Sequence, residues 1–148
     1  MSTQPTRRYR ETEKLAMEIV RAREKERGFV PDSVLGPKAQ HLEGCDFFST
    51  PRGGGEPHPV EVKGWGLPLI GDDATVTDPA DITAEQLDRA RRDDCWRLEI
   101  VGNLDAVRAV GEKPQFLTVT ASEVRDRAKP WRFRIPLGDL AHRVETPN

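Results

Sequence analysis

Two short runs of strand-forming residues, separated by a turn containing three consecutive glycines, constrain this chain more than any other feature. Cys45-Asp46-Phe47-Phe48-Ser49-Thr50 follows Gly44, and Pro59-Val60-Glu61-Val62-Lys63 precedes Gly64. Between them, Pro51 to Pro57 is turn by composition, and Gly53-Gly54-Gly55 lacks the Lys-Ser/Thr that would make it a phosphate-binding loop. The two runs are therefore predicted to pair as an antiparallel hairpin. Alternate residues of a strand share a face, so Glu61 and Lys63 point one way and Val60 and Val62 the other.

The elements around the hairpin follow from periodicity. A helix is predicted over about 8–27, with Leu15, Ala16, Ile19, Val20 and Ala22 as its apolar stripe, Gly28 as its stop and Pro31 beyond. The stretch 31–43 reads as loop, and 64–81, holding Trp65 and several Gly and Pro, as a long irregular segment. Thr83-Ala84-Glu85-Gln86 fits a capping box opening a second helix to about Asp94, with Leu87 and Ala90 inward. Further strands are expected at Trp96–Val101, Phe116–Thr120 and Trp131–Ile135. With 148 residues and no repeat, residues 8–148 are expected to form one mixed α/β or α+β domain behind a polar tail, residues 1–7.

Composition excludes several classes. Hydrophobic residues make up 36% of the chain, and no apolar run approaches the ~20 residues of a membrane span. The N-terminal Arg7-Arg8 has no apolar region behind it, so neither a secretory leader nor a membrane partner is expected, and the cytoplasm is the expected compartment. There Cys45 and Cys95 would stay reduced, although a lone disulfide between them is open on sequence grounds. A net charge of −2 argues against a polycationic binder, so any nucleic-acid role must rest on a local site.

The chemistry-bearing residues are Asp46, Glu61 and Lys63. Across a closed hairpin Asp46 can lie opposite Glu61, and two carboxylates a few ångströms apart make a hard oxygen site for Mg²⁺ or Mn²⁺. A neighbouring ammonium can position water and stabilise charge on a phosphate. The alternatives are a solvated Glu-x-Lys face and an Asp46 that merely closes a turn. On the first helix, at ~100° per residue, Glu18 falls about 60° from Leu15 and about 40° from Ala22. It would thus stand at the border of the apolar stripe, either reaching toward the carboxylates or forming an ordinary rim charge, while Glu13 falls on the solvated side. His41, His58 and His142 show no ligand spacing and read as surface residues. Trp65 would either stack on a base or pack beneath its loop. Arg7, Arg8, Arg10 and Lys14 at one end, with Arg125, Arg127, Lys129, Arg132 and Arg134 at the other, are the candidate phosphate contacts.

In this order the features resemble the PD-(D/E)XK nuclease superfamily, and within it the No Vein C-terminal-like domain of bacterial restriction and defence proteins. The resemblance rests on Ala16–Val20, Glu24 to Gly28, Pro31–Val34, Gly44-Cys45-Asp46, Val60–Gly64, Ile82-Thr83 and Trp96–Val101, covering about residues 11–103. It implies a three-layer α-β-α restriction-endonuclease-like core with a central mixed sheet. Asp46, Glu61 and the Val62 carbonyl would hold Mg²⁺ (or Mn²⁺), Lys63 would activate water, and Glu18 would hold a second ion or its water shell. Gln86 on the second helix would support the site. The activity implied is Mg²⁺-dependent hydrolysis of phosphodiesters in DNA, with RNA as the second candidate substrate and a homodimer or a partner protein of a defence system as the candidate assemblies. A non-catalytic nucleic-acid- or protein-binding module that keeps the fold is the alternative. The sequence departs from the family where Thr83-Ala84-Glu85-Gln86-Leu87 replaces Thr-x-Asn-Glu and an aromatic, and where Cys45 replaces an aromatic.

Overall fold

The computed structural model describes residues 7–76, 79–128 and 134–147. In chain order they form α1 (Arg7–Glu26), β1 (Phe29–Pro31), α2 (Pro37–Glu43), β2 (Phe47–Pro51), β3 (His58–Gly64), β4 (Ala80–Asp81), α3 (Ala84–Arg92), β5 (Arg97–Gly102), α4 (Leu104–Val110), β6 (Gln115–Thr120), α5 (Ala121–Arg127) and β7 (Arg134–Ile135). A 3₁₀ helix, Gly138–Arg143, follows. Among the described residues, no helix is long and apolar enough to cross a membrane.

Five strands build one mixed sheet in the order β1-β2-β3-β5-β6. The expected hairpin is present: β2 and β3 run antiparallel, with Phe47 opposite Val60. β3 and β5 run parallel, which requires a crossover, and the chain spends it on α3. β4 and β7 form a separate two-stranded ribbon.

Strand alternation divides the sheet into two apolar faces. Val60, Val62, Phe47, Val101 and Phe116 meet Ala16 and Val20 of α1 and Leu104 of α4. On the opposite face Leu98, Ile100, Leu117 and Val119 meet Leu87 and Ala90 of α3 and Val124 of α5. The architecture is thus a three-layer α-β-α core around a mixed sheet. Because Val60 and Val62 face α1, the intervening Glu61 and the following Lys63 face the α3 side.

Several segments differ from the sequence reading. The stretch 31–43, expected to be loop, contains α2, and β1 just before it reaches in only as far as Pro31. β1 has three residues, too few to display alternation, and α2 buries none of its seven side chains, so no apolar stripe marks it. α2 is instead tied to α3, where Arg89 bonds the Glu43 carboxylate at 2.9 Å and stands over the Phe48 ring. α4 and α5 also lie where the sequence predicts no helix, each being only seven residues long. The strand expected at Trp131–Ile135 lies mostly outside the described residues; Arg134–Ile135 is β7.

Candidate metal and phosphate site

Asp46 is the most tightly placed residue at the mouth of the hairpin. Its amide donates to the Val60 carbonyl and its own carbonyl accepts from the Leu35 amide, both at 2.8 Å. Just upstream, Gly44 ends α2 with φ 66°, and a Cβ there would lie 2.5 Å from the Glu85 carbonyl oxygen of α3. Only glycine permits that approach. The indole N–H of buried Trp96 donates to the Gly44 carbonyl at 2.9 Å, fixing the turn to the far core. The sequence Gly44-Cys45-Asp46 therefore locks a carboxylate to the point where α2, α3 and the sheet converge.

The Asp46 carboxylate takes the place of a β2 partner for the end of β3. The Val62 amide donates to its Oδ2 at 2.7 Å. In an antiparallel ladder a residue's N–H and C=O lie on the same strand edge, so the Val62 carbonyl faces the Asp46 side, beyond the last β2–β3 pair at Phe47 and Val60. One residue after Lys63, a Cβ on Gly64 would meet the Ala16 Cβ at 2.7 Å. α1 thus rests directly on β3 beside the lysine.

Glu61 and Asp46 are both buried, at 5% and 8% exposure, and their carboxyl groups hydrogen-bond to each other. Burial, then the charge of Asp46, pushes the Glu61 carboxyl up to about 8, while Lys63 acts in the opposite sense. Asp46 is also raised, chiefly by burial, with the Val62 amide opposing. The pair therefore shares a proton at neutral pH. Lys63 Nζ lies 3.4 Å from Glu61 Oε2 and keeps part of its side chain in solvent. These groups form the floor of a cleft of about 370 Å³.

The cleft wall also contains Gln86, as expected, with a second duty. Its Oε1 accepts from the Thr83 amide at 2.8 Å while its own amide donates to Thr83 Oγ1 at 3.2 Å, the capping box read from the sequence. Its side-chain NH₂ is left for the cleft. His41, expected on the surface, lines the cleft from α2 and stands 3.5 Å from the Glu85 carboxylate.

Glu18 does not reach the site. It lies in a neighbouring groove, and the α1 acid in the cleft is Glu13, whose charge acts on Asp46. The reason is the true inner stripe of α1, which is Thr12, Ala16, Val20 and Glu24, with Ala22 exposed. At ~100° per residue, Glu13 falls about 40° from the middle of that stripe and Glu18 about 180°. Glu24 is inside because Arg97 pairs with it and with Glu99, the latter at 2.8 Å, and Glu99 accepts from Thr118 Oγ1 at 2.7 Å. A reading that excludes charge from the helix interior rotates the stripe by over half a turn's quadrant and exchanges the two glutamates.

Other candidates sort plainly. Trp65 is half-buried against the α3-side core, and its amide bonds the Val101 carbonyl, so it packs rather than stacks. Arg125 and Arg127 are engaged by Asp94 and Asp139. Cys45 and Cys95 are free thiols, and burial pushes Cys45 up to about 12. Lys129 and Arg132 lie outside the described residues.

The donor set suits a hard divalent cation. Mg²⁺ is commonly held by one or two carboxylates while keeping several waters, and Asp46 and Glu61 are two adjoining carboxyls with the Val62 carbonyl on the Asp46 side. Among the described residues, no group of three or more His, Cys, Asp or Glu side chains is arranged to hold a metal ion. Compared with models of known protein families, with curated proteins and with solved structures, the chain finds no match.

Proposed function

We propose that this chain is a Mg²⁺- or Mn²⁺-dependent phosphodiesterase acting on DNA, a nuclease of the PD-(D/E)XK type akin to the No Vein C-terminal-like domain, serving restriction or phage defence in the cytoplasm. The observation that carries the reading is the contact between the buried Asp46 and Glu61 carboxyls on the floor of a cleft that also presents Lys63. A proton shared between two buried acids costs stability, and an ordinary solvated face has no use for it.

Asp46, Glu61 and the Val62 carbonyl would hold the cation. When bound, it supplies Lewis acidity toward a phosphoryl oxygen and lowers the pKa of its water. Lys63 orients the attacking water and stabilises charge gathering on the phosphate. Glu13, the α1 acid that lines the cleft, would hold a water of the cation's outer shell by its carboxylate. The Gln86 NH₂ group, free of the cap, bonds a phosphate oxygen or a water at the wall.

The test is nicking of supercoiled plasmid and cleavage of end-labelled oligonucleotides in Mg²⁺ or Mn²⁺, with EDTA and Lys63→Met as controls. Metal-dependent cleavage lost in Lys63→Met supports the reading; equal cleavage by the variant overturns it. The second reading, a non-catalytic nucleic-acid- or protein-binding module, is favoured by one observation. Among the described residues the pair has no third acidic, histidine or cysteine ligand within a metal-holding group.

A further inference from the structure

The cleft does not end at α1. Glu13 and Met17 are shared with a second depression of about 360 Å³, lined further by Arg10, Lys14, Arg21 and Val34, with Glu18 at its edge, so that its cations outnumber its carboxylates three to two. At ~100° per residue, Arg10, Lys14 and Arg21 fall within about 40° of one another around the helix, and at 1.5 Å per residue they span about 16 Å of its length. They form one basic stripe leading to the cleft.

These cations are also unspent. Arg23, Arg89, Arg97, Arg108 and Arg143 are each neutralised by a carboxylate. Among the described residues, none of Arg10, Lys14 and Arg21 is ion-paired; Arg21 donates to the Asp32 carbonyl at 3.2 Å and keeps a buried Nε without a partner. Met17 and Val34 add apolar surface between the charges, and Val34 is 39% exposed. A positively charged groove that tracks the backbone is the electrostatic half of a single-strand site, and here Met17 and Val34 offer the bases apolar contact in place of aromatic stacking platforms.

The depth of the acids decides which form of nucleic acid enters. Asp46 and Glu61 lie almost wholly buried, beneath walls set by α1, by Gln40 and His41 of α2, and by Thr83 and Gln86 at the start of α3. A cleft of about 370 Å³ holds roughly one nucleotide. A flexible single strand brings a phosphate down to Lys63 without distortion, whereas a stiff duplex does so only at a deformation cost.

We infer that the groove along α1 is the binding track for a single-stranded polynucleotide segment, its phosphates running over Arg10, Lys14 and Arg21 and feeding one nucleotide into the cleft. What happens in the cleft rests on the phosphodiesterase reading; the track is tested by binding alone. The experiment is fluorescence anisotropy with a labelled oligothymidylate of about 12 nucleotides and a duplex of equal length. Both are measured in EDTA across a salt series, with wild type and with Arg10→Glu and Lys14→Glu combined. Both side chains are exposed, so the fold is preserved, and circular dichroism checks it. The expected result is at least tenfold tighter binding of the single strand by wild type, and a salt slope smaller by about 1.4 in the variant, about 0.7 per lost contact. Equal affinity for the duplex, or an unchanged slope, overturns the inference. Single-strand binding through the stripe without any Mg²⁺- or Mn²⁺-dependent cleavage upholds the track and removes the phosphodiesterase reading. Cleavage without a contribution from Arg10 and Lys14 does the reverse.

Discussion

Asp46 and Glu61, brought together across the β2–β3 hairpin, hydrogen-bond carboxyl to carboxyl in a buried position, with the amide of Val62 holding Asp46 at 2.7 Å and Lys63 beside Glu61. On the metal-dependent reading, a cation would relieve the cost of burying this pair. Glu61 ordinarily titrates near 4.5 and stands near 8 in the fold. A group raised in the folded state contributes stability that is full below its unfolded pKa and is lost as pH rises through the folded one. Metal-free Glu61→Gln therefore gains on wild type from pH 5 to pH 8, by a few kcal/mol at the upper end at ~1.4 kcal/mol per unit. Thermal melts at several pH values check this, with a rise in Tm on the order of 5 °C at pH 8. A constant difference across the range would contradict it.

Glu13 and Glu18 of α1 are expected to behave differently. Glu13→Gln lowers Mg²⁺ affinity or cleavage by about tenfold, the scale of losing a group that orients a metal's outer shell. Glu18→Gln leaves both within twofold. Parallel titrations of the two variants measure the contrast.

Gly44→Ala places a methyl 2.5 Å from the Glu85 carbonyl and strains a φ of 66°. A loss of about 2–3 kcal/mol is expected, because backbone rather than a flexible side chain must move. Urea unfolding measures it. Gly53→Ala, where nothing lies within 4 Å, is the near-neutral comparison.

Under α1, Arg97 bridges Glu24, 1% exposed, and Glu99, 3% exposed. Arg97→Met leaves two buried acids without a cation and is expected to cost about 3–5 kcal/mol at pH 7. Burial already raises Glu99, so the variant's loss grows as pH rises and its melt recovers toward pH 5. Thermal unfolding across that range tests the sign.

Much of the site was legible because it depends on local rules. The Gly-rich turn sets the hairpin, period-two alternation puts Glu61 and Lys63 on one face, and Thr83 with Gln86 marks the start of α3 in sequence as in space. The rest depends on partners distant along the chain. Glu13 could not be chosen over Glu18 without knowing that Arg97, 73 residues on, draws Glu24 inside. α2 carries no inward stripe to read, yet it supplies the His41 wall. α5 had a signal that went unread, the Thr120–Glu123 capping box, since a helix of seven residues is too short for periodicity.

The most direct measurement is calorimetric titration of Mg²⁺ and Mn²⁺ into wild type and Asp46→Ala at pH 7 and pH 8, repeated in two buffers of different ionisation enthalpy. Binding is expected in wild type with release of up to one proton, since the cation displaces the proton shared by Asp46 and Glu61. It is expected to be tighter at pH 8 and absent in Asp46→Ala. Equal binding by the variant, or no binding by a folded wild type, would contradict the assignment of Asp46 and Glu61 as the metal-holding pair.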